Sequence, residues 1–201
     1  AVLYDMLEEP GTGNFWIATY TKGLAYWDRA ENAISVRSAE PGKEGALGDN
    51  LVYALAYDSH GNLWLATNGG LYRLKPDGDF AAYRPVADDR TSLPSRIVRN
   101  LYVCPDGTVW LATNGGGVAR YEEASDSFRY WTKRDGLPSN LALAVLQGPD
   151  GRLWASTVTG LAYYEPAADR WRSFVGPSDL RYSEFTIGSA AGMDGTLHFG
   201  A

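Results

Sequence analysis

The phrase GTVWLATNGGGVARY, residues 107–121, is written several times in this chain: GNFWIATYTKGLAYW starts at Gly13, GNLWLATNGGLYRL at Gly61, GRLWASTVTGLAYY at Gly151, and a shortened GTLHFGA at Gly195. The aromatic anchors Trp16, Trp64, Trp110, Trp154 and His198 stand 48, 46, 44 and 44 residues apart. That period suits propeller blades or helical arrays, and it restricts the chain to one supersecondary unit stacked on copies of itself.

Strands are favoured over helices, because no stretch keeps apolar residues at helical spacing for three turns. In the third unit, RIVRNLYV (96–103) reads as a strand, PDG (105–107) as a tight turn and TVWLAT as a second strand. NGG then turns the chain into VARYEE, and DSFRYW closes the unit. Asn-Gly and Asp-Gly fit such hairpins because the turns need positive φ. The second strands are almost continuously apolar, which predicts burial on both faces, as in a propeller whose blades each pack between two neighbours. Two places after each anchor the residue is small (Ala18, Ala66, Ala112, Ser156 and Gly200), as wedge-shaped blades require where they converge.

The predicted fold is therefore all-β: a β-propeller segment of four-stranded antiparallel blades, about residues 2–37, 52–84, 97–131 and 141–174, with part of a fifth at 184–201. The uniform repeat predicts a single domain over 1–201. Closed propellers have about four to eight blades, so the chain is expected to belong to a larger ring, or to pair with a second copy that hides its open sheet faces.

The formal net charge is −6, with acids and bases mixed along the chain. No basic face for phosphates is apparent, which argues against a nucleic-acid partner. The single Cys104 excludes an intramolecular disulfide and reads as a small core residue. No apolar run approaches membrane-spanning length, and AVLYDMLEEP lacks the pattern of a signal peptide. Any membrane link would lie in flanking segments.

The segments DNLVYALAYDSHGNLWLATNGGLYRL (49–74) and DGLPSNLALAVLQGPDGRLWASTVTGLAYY (135–164) resemble the two-component regulator propeller repeat, and the tail SDLRYSEFTIGSAAGMDGTLHFGA is similar to that family's last blade. The resemblance implies the periplasmic sensor of a membrane-bound histidine kinase, hybrid two-component protein or diguanylate cyclase, built on seven-bladed rings; a homodimer is the expected assembly. Kinase, cyclase, transmembrane and immunoglobulin-like segments are absent from the sequence in hand. Signal output is thus an implication of the resemblance alone.

If each inner strand descends, the turn after the second strand and the connection into the next blade share an upper face. That face would collect Tyr20, Lys22, Asn68, Asn114 and Thr159 from the turns, and Asn50, Arg96, Asn140, Tyr182 and Glu184 from the connections. Their mixture of amide, aromatic and charged groups suits an oligosaccharide or another small polar ligand. Turn formation accounts equally for Asn68 and Asn114, and backbone capping for Asn50 and Asn140. Arg96, Tyr182 and Glu184 are harder to explain by turn chemistry. The opposite face would carry short DSHG, PDG and MDG turns that look structural.

Catalysis is not expected, and no cofactor or metal is implied. His60 falls in a turn, His198 reads as a packed ring in place of the repeated tryptophan, and neither has partners for a zinc site or a nucleophilic triad. Adjacent acids such as Asp88, Asp89, Glu122 and Glu123 read as solvated. The enzymatic rival is a propeller lyase similar to the streptogramin lyases, and the third possibility is a scaffold that only mediates protein contacts.

Overall fold

A computed structural model describes residues 2–174, 189–191 and 196–200. The described residues form eighteen strands: β1 (Leu3–Glu8), β2 (Phe15–Thr19), β3 (Leu24–Asp28), β4 (Ala33–Arg37), β5 (Val52–Tyr57), β6 (Leu63–Thr67), β7 (Gly70–Leu74), β8 (Phe80–Tyr83), β9 (Val98–Val103), β10 (Val109–Thr113), β11 (Gly117–Glu122), β12 (Ser127–Trp131), β13 (Ala142–Gln147), β14 (Leu153–Thr157), β15 (Gly160–Glu165), β16 (Arg170–Phe174), β17 (Ser189–Ala191) and β18 (Leu197–Phe199). Sheet order follows sequence order, giving four antiparallel four-stranded sheets and the pair β17–β18. The inner strands β1, β5, β9 and β13 lie against one another in succession, so the sheets form an open array of blades.

Burial explains the order. Between the first two blades Leu65 packs with Trp16, Leu24, Val52 and Leu63. Its strand neighbours Trp64 and Ala66 point the other way, to Val98, Leu101 and Leu111 of the next blade. A strand alternates its side chains between two faces; β6 has both faces covered, and all five of its residues are buried. The third core repeats the arrangement with Trp110, Ala112, Val145, Ala155 and Trp171. Leu47, Leu93 and Leu137, one from each connection, fill the gap between successive blades and are at most 3% exposed.

Each hairpin between second and third strands is closed by a buried threonine. Thr19, Thr67, Thr113 and Thr157 donate through Oγ1 to the carbonyls of Gly23, Gly70, Gly117 and Gly160 at 2.8–2.9 Å. The hydroxyl is thereby satisfied where water cannot reach. Ser156 breaks the repeat of alanines at Ala18, Ala66 and Ala112: it is fully buried, and its Oγ has no protein partner. Ser156→Ala is accordingly expected to stabilise the fold by about 1 kcal/mol, the cost of an unmade buried hydrogen bond. A raised midpoint in urea unfolding with unchanged slope would show it, and a lowered one would contradict it.

The two ends differ from the middle. Leu3, Met6, Ile34 and Val36 on the first blade are each about half exposed or more, whereas Val52 and Val98, the register equivalents of Leu3, are fully buried. Trp16, Trp64 and Trp110 are buried, but Trp154 is only half-buried, touching Tyr163 of its own sheet at 5.4 Å. His198, expected as a packed ring, is exposed on β18, because among the described residues no further blade covers that strand.

Candidate ligand-binding rim

Every inner strand carries one extra residue at the same place. Leu3 pairs with Thr19 and Asp5 with Ala18, which leaves Tyr4 unpaired; the same register shift leaves out Tyr53, Arg99 and Leu143. A bulge of this kind re-aims the side chain of the extra residue. Here it collects four side chains, one per blade, along the inner rim near the upper face.

The rim is continuous through the first three blades. Tyr20, from the turn after β2, lies 6.1 Å from Tyr4, and Tyr4 meets Tyr53 edge-on at 5.3 Å. Arg99 lies over the Tyr53 ring at 4.9 Å and donates from Nη1 to its hydroxyl at 2.9 Å. Tyr4 and Tyr20 are 40% and 49% exposed, while Tyr53 is buried beneath them. Burial pushes the Tyr53 phenol pKa up, against the opposing effect of the Arg99 charge. The rim thus presents uncharged aromatic faces beside a fixed cation, a combination that stacks on apolar ring faces and donates to oxygen.

Below the bulges of the first and third blades, side chains tie the inner strands together. Asp5 accepts from the Leu55 N–H at 2.8 Å, and Asn100, in the same register position two blades on, accepts from Val145 N–H at 2.9 Å. Burial raises the Asp5 pKa, and the bonds from Leu55 and Met6 offset this in part. A carboxyl whose pKa is raised on folding holds its proton more tightly in the native state, so its contribution is present at low pH and is lost as pH rises above about 3.9, the ordinary aspartate value. Asp5→Asn keeps the acceptor, as Asn100 does, without a buried charge. Its melting temperature is expected to exceed that of the wild type at pH 7, with the gain shrinking toward pH 3. An equal or growing gain at low pH would refute the assignment.

The residues singled out in the sequence take distinct places. Turns and connections meet through backbone bonds: Gly23 N–H reaches the Asn50 carbonyl at 2.9 Å, and Gly115 and Gly117 reach that of Asn140 at 3.0 and 2.9 Å. Asn50 and Asn140 use their side-chain oxygens on the N–H groups of Ala39 and Lys133. Asn68 and Asn114 donate backbone N–H groups to Leu51 and Ile97, as turn residues do. Lys22 donates its N–H to Thr19 Oγ1 at 3.0 Å, and its side chain is exposed. Arg96 occupies the register position of Asn50 and Asn140 but is exposed, just ahead of the rim strand β9. Tyr182 and Glu184 lie outside the described residues. Tyr4, Tyr53, Arg99 and Leu143 were not singled out; their only signal is the middle column of the aligned strands LYD, VYA, VRN and ALA, which is tyrosine in the first two blades and then arginine and leucine.

The lower face is more than turns. Asp58, His60, Trp64, Arg73, Asp106, Arg120 and Glu123 line a cleft of about 360 Å³ between the second and third blades. Arg73 sits over Trp64 at 5.2 Å and donates to the Tyr121 hydroxyl at 3.0 Å, while Tyr121 and Tyr83 both donate to Asp126. Burial opposes ionisation of Asp126, but the tyrosine hydroxyls and Arg73 outweigh it and hold its pKa below the ordinary value. These contacts join blades to one another. Cys104 lines the neighbouring cleft, and burial with the nearby Asp106 pushes its thiol up to about 12, far from a reactive thiolate. Among the described residues no three metal-ligating side chains converge, and no helix is long and apolar enough to cross a membrane.

Fold and rim together define an all-β protein of stacked propeller blades. More particularly, the two component regulator propeller family model matches residues 46–69, the connection into the second blade with β5 and β6, so the resemblance seen in residues 49–74 holds there. The structure is similar to the extracellular domain assigned to the hybrid two component system BT3049 of B. thetaiotaomicron, with TM-score 0.82 and 23% identity over 98% of this chain and 26% of that one. A second extracellular domain from that organism, assigned to the one component system BT4673, gives TM-score 0.80 at 17% identity over 98% of this chain and 28% of its own. This chain therefore spans about a quarter of the length of those domains. A catalytically inactive virginiamycin B lyase from Staphylococcus aureus, solved with quinupristin, gives TM-score 0.72 at 18% identity over 98% of this chain and 62% of that one. At these identities the likeness is one of fold. No curated protein matches the sequence.

Proposed function

We propose that this chain is the ligand-recognising part of a sensor propeller in a bacterial two-component-type receptor, facing the periplasm, and that it binds a carbohydrate or another small polar ligand at the rim of Tyr4, Tyr20, Tyr53 and Arg99. The observation that carries this reading is the recurrent bulge, which places Tyr4, Tyr53, Arg99 and Leu143 on the inner rim of the four four-stranded blades while the surrounding core repeats. The matching family model and the likeness to receptor extracellular domains support the receptor context.

Recognition at such a rim works by exclusion of water between sugar faces and tyrosine rings, with Arg99 and the exposed Arg96 fixing orientation through oxygen atoms. Signalling requires that the ligand prefer one of two receptor arrangements; equal affinity for both would shift nothing. The half-exposed apolar face of Leu3, Met6, Ile34 and Val36 fits cover by another blade of the same receptor or by a second copy in a homodimer.

Titration of the chain with a panel of neutral oligosaccharides, followed by calorimetry and tyrosine fluorescence, tests the reading. A ligand of the rim should bind Arg99→Ala and Tyr4→Ala roughly tenfold or more weakly, each worth about 1.4 kcal/mol, with the far-UV spectrum unchanged. Binding indifferent to both substitutions would place the site elsewhere. Consumption of quinupristin in the presence of a divalent metal would instead support the lyase reading that the fold likeness permits.

A further inference from the structure

The outer side of the third blade carries a second surface of different chemistry. Arg90, Arg129, Tyr130, Lys133, Arg134 and Asp135 are among the residues lining an open cleft of about 670 Å³ beside β12. Both flanking connections build it: the connection before the blade is fastened by the Phe128 N–H to the Thr91 carbonyl at 2.7 Å, and the one after it supplies Lys133 and Arg134.

The loop that carries Lys133 and Arg134 is fixed by its own hydrogen bonds. Thr132 and Asp135 form a reciprocal cap, with the Thr132 N–H and Oγ1 both on Asp135 Oδ2 at 2.8 and 3.0 Å, and Lys133 N–H goes to Asn140 Oδ1 at 2.8 Å. The one acid of the cleft is thus spent on the loop itself. Arg129 pairs with Asp169 of the next blade and lies over Trp131. The side chains of Arg90, Lys133 and Arg134 are exposed and have no carboxylate partner among the described residues. In a chain of net charge −6, three uncompensated cations gathered in one cleft concentrate a positive potential against the overall sign.

We infer that this cleft is a binding site for a ligand carrying several oxyanion groups, carboxylate, sulfate or phosphate, held by Arg90, Lys133 and Arg134. Guanidinium groups take such oxygens two at a time, and the lysine adds a mobile point charge. The half-buried Tyr130 gives the ligand's uncharged frame a surface to lie on. The site is separate from the rim, so either one can fail without the other.

Calorimetric titration with three probes tests it: a sulfated disaccharide, an oligogalacturonate and inorganic tripolyphosphate. At least one should bind at low salt, with an affinity that falls steeply as salt is added, because exposed ion pairs are screened. The triple substitution Arg90→Gln, Lys133→Gln, Arg134→Gln should weaken that binding roughly tenfold or more, whereas Arg99→Ala on the rim and Arg152→Gln on the lower face should leave it intact. Which probe binds identifies the source of the oxyanion. Failure of all three at millimolar concentration, or binding that the triple variant retains, would overturn the inference. All three side chains are exposed, so the variant should keep the wild-type melting temperature; a fall would direct the comparison to the single Lys133→Gln, whose loss of affinity must still appear.

Discussion

Gly117→Ala is expected to destabilise the chain by about 4 kcal/mol or more, among the largest effects a single substitution produces. Gly117 opens β11 with φ +77°, and a Cβ there would run into the carbonyl oxygen of Trp131, the last residue of β12. Relief requires opening the β11–β12 ladder at its Val118–Trp131 end. That end anchors a ring buried against Trp110 and Tyr164. Gly23 and Gly70 meet the carbonyls of Arg37 and Tyr83 in the same way, so the constraint recurs through the first three blades, whereas at Gly160 the nearest atoms are those of Pro138 at 3.7 Å. Gly115 supplies the control. Its φ is +95°, but nothing lies within 4 Å of where its Cβ would stand, so Gly115→Ala should cost only the left-handed conformation, about 1–2 kcal/mol. Urea unfolding of both variants measures the difference, and equal losses would mean that the close approach of the strands is wrong.

Trp64→Ala is expected to cost about 3–5 kcal/mol. The indole is 1% exposed, packs on Tyr121 of the following blade at 4.9 Å, supports Arg73 and donates from Nε1 to Asp58 Oδ2 at 2.8 Å. Burial works against ionisation of Asp58, but the bonds from Asn62, Trp64 and nearby backbone hold its pKa below the ordinary value. The substitution therefore opens a cavity between two blades and takes one donor from a carboxylate. Trp154 stands at the same repeat position, half-buried and against its own sheet, so Trp154→Ala should cost well under half as much. Thermal melts of the pair decide the matter; comparable losses would argue that the blades are not packed in this order.

How much of this was legible in the sequence depends on what repeats. The strand order and two-sided burial could be read because four copies of one phrase leave one solution: anchors such as Trp64, with small residues such as Ala66 two places on, must face a neighbour. The glycines that begin third strands were visible as turn signals, though their close approach to the fourth strand was not. The rim was hidden, because a bulge is a property of pairing register, and Tyr4, Tyr53, Arg99 and Leu143 sit inside apolar strands where their types look incidental. Asn50 and Arg96 illustrate the reverse: they share a register position, yet the amide closes a backbone bond and the guanidinium reaches solvent. The outer cleft escaped notice because Arg90 and Lys133 are far apart in sequence, and only the fastening of Thr91 to Phe128 brings their loops beside one strand.

The stacking of blades with both faces of their second strands enclosed underlies the rim, the clefts and the stability of the fold. Hydrogen exchange of the intact chain, read residue by residue, tests it most directly. The account predicts slowest exchange at Leu65, Ala66, Leu111 and Ala112 in β6 and β10, and much faster exchange in β4, whose residues are all exposed. Exchange in β6 and β10 as fast as in β4 would contradict it.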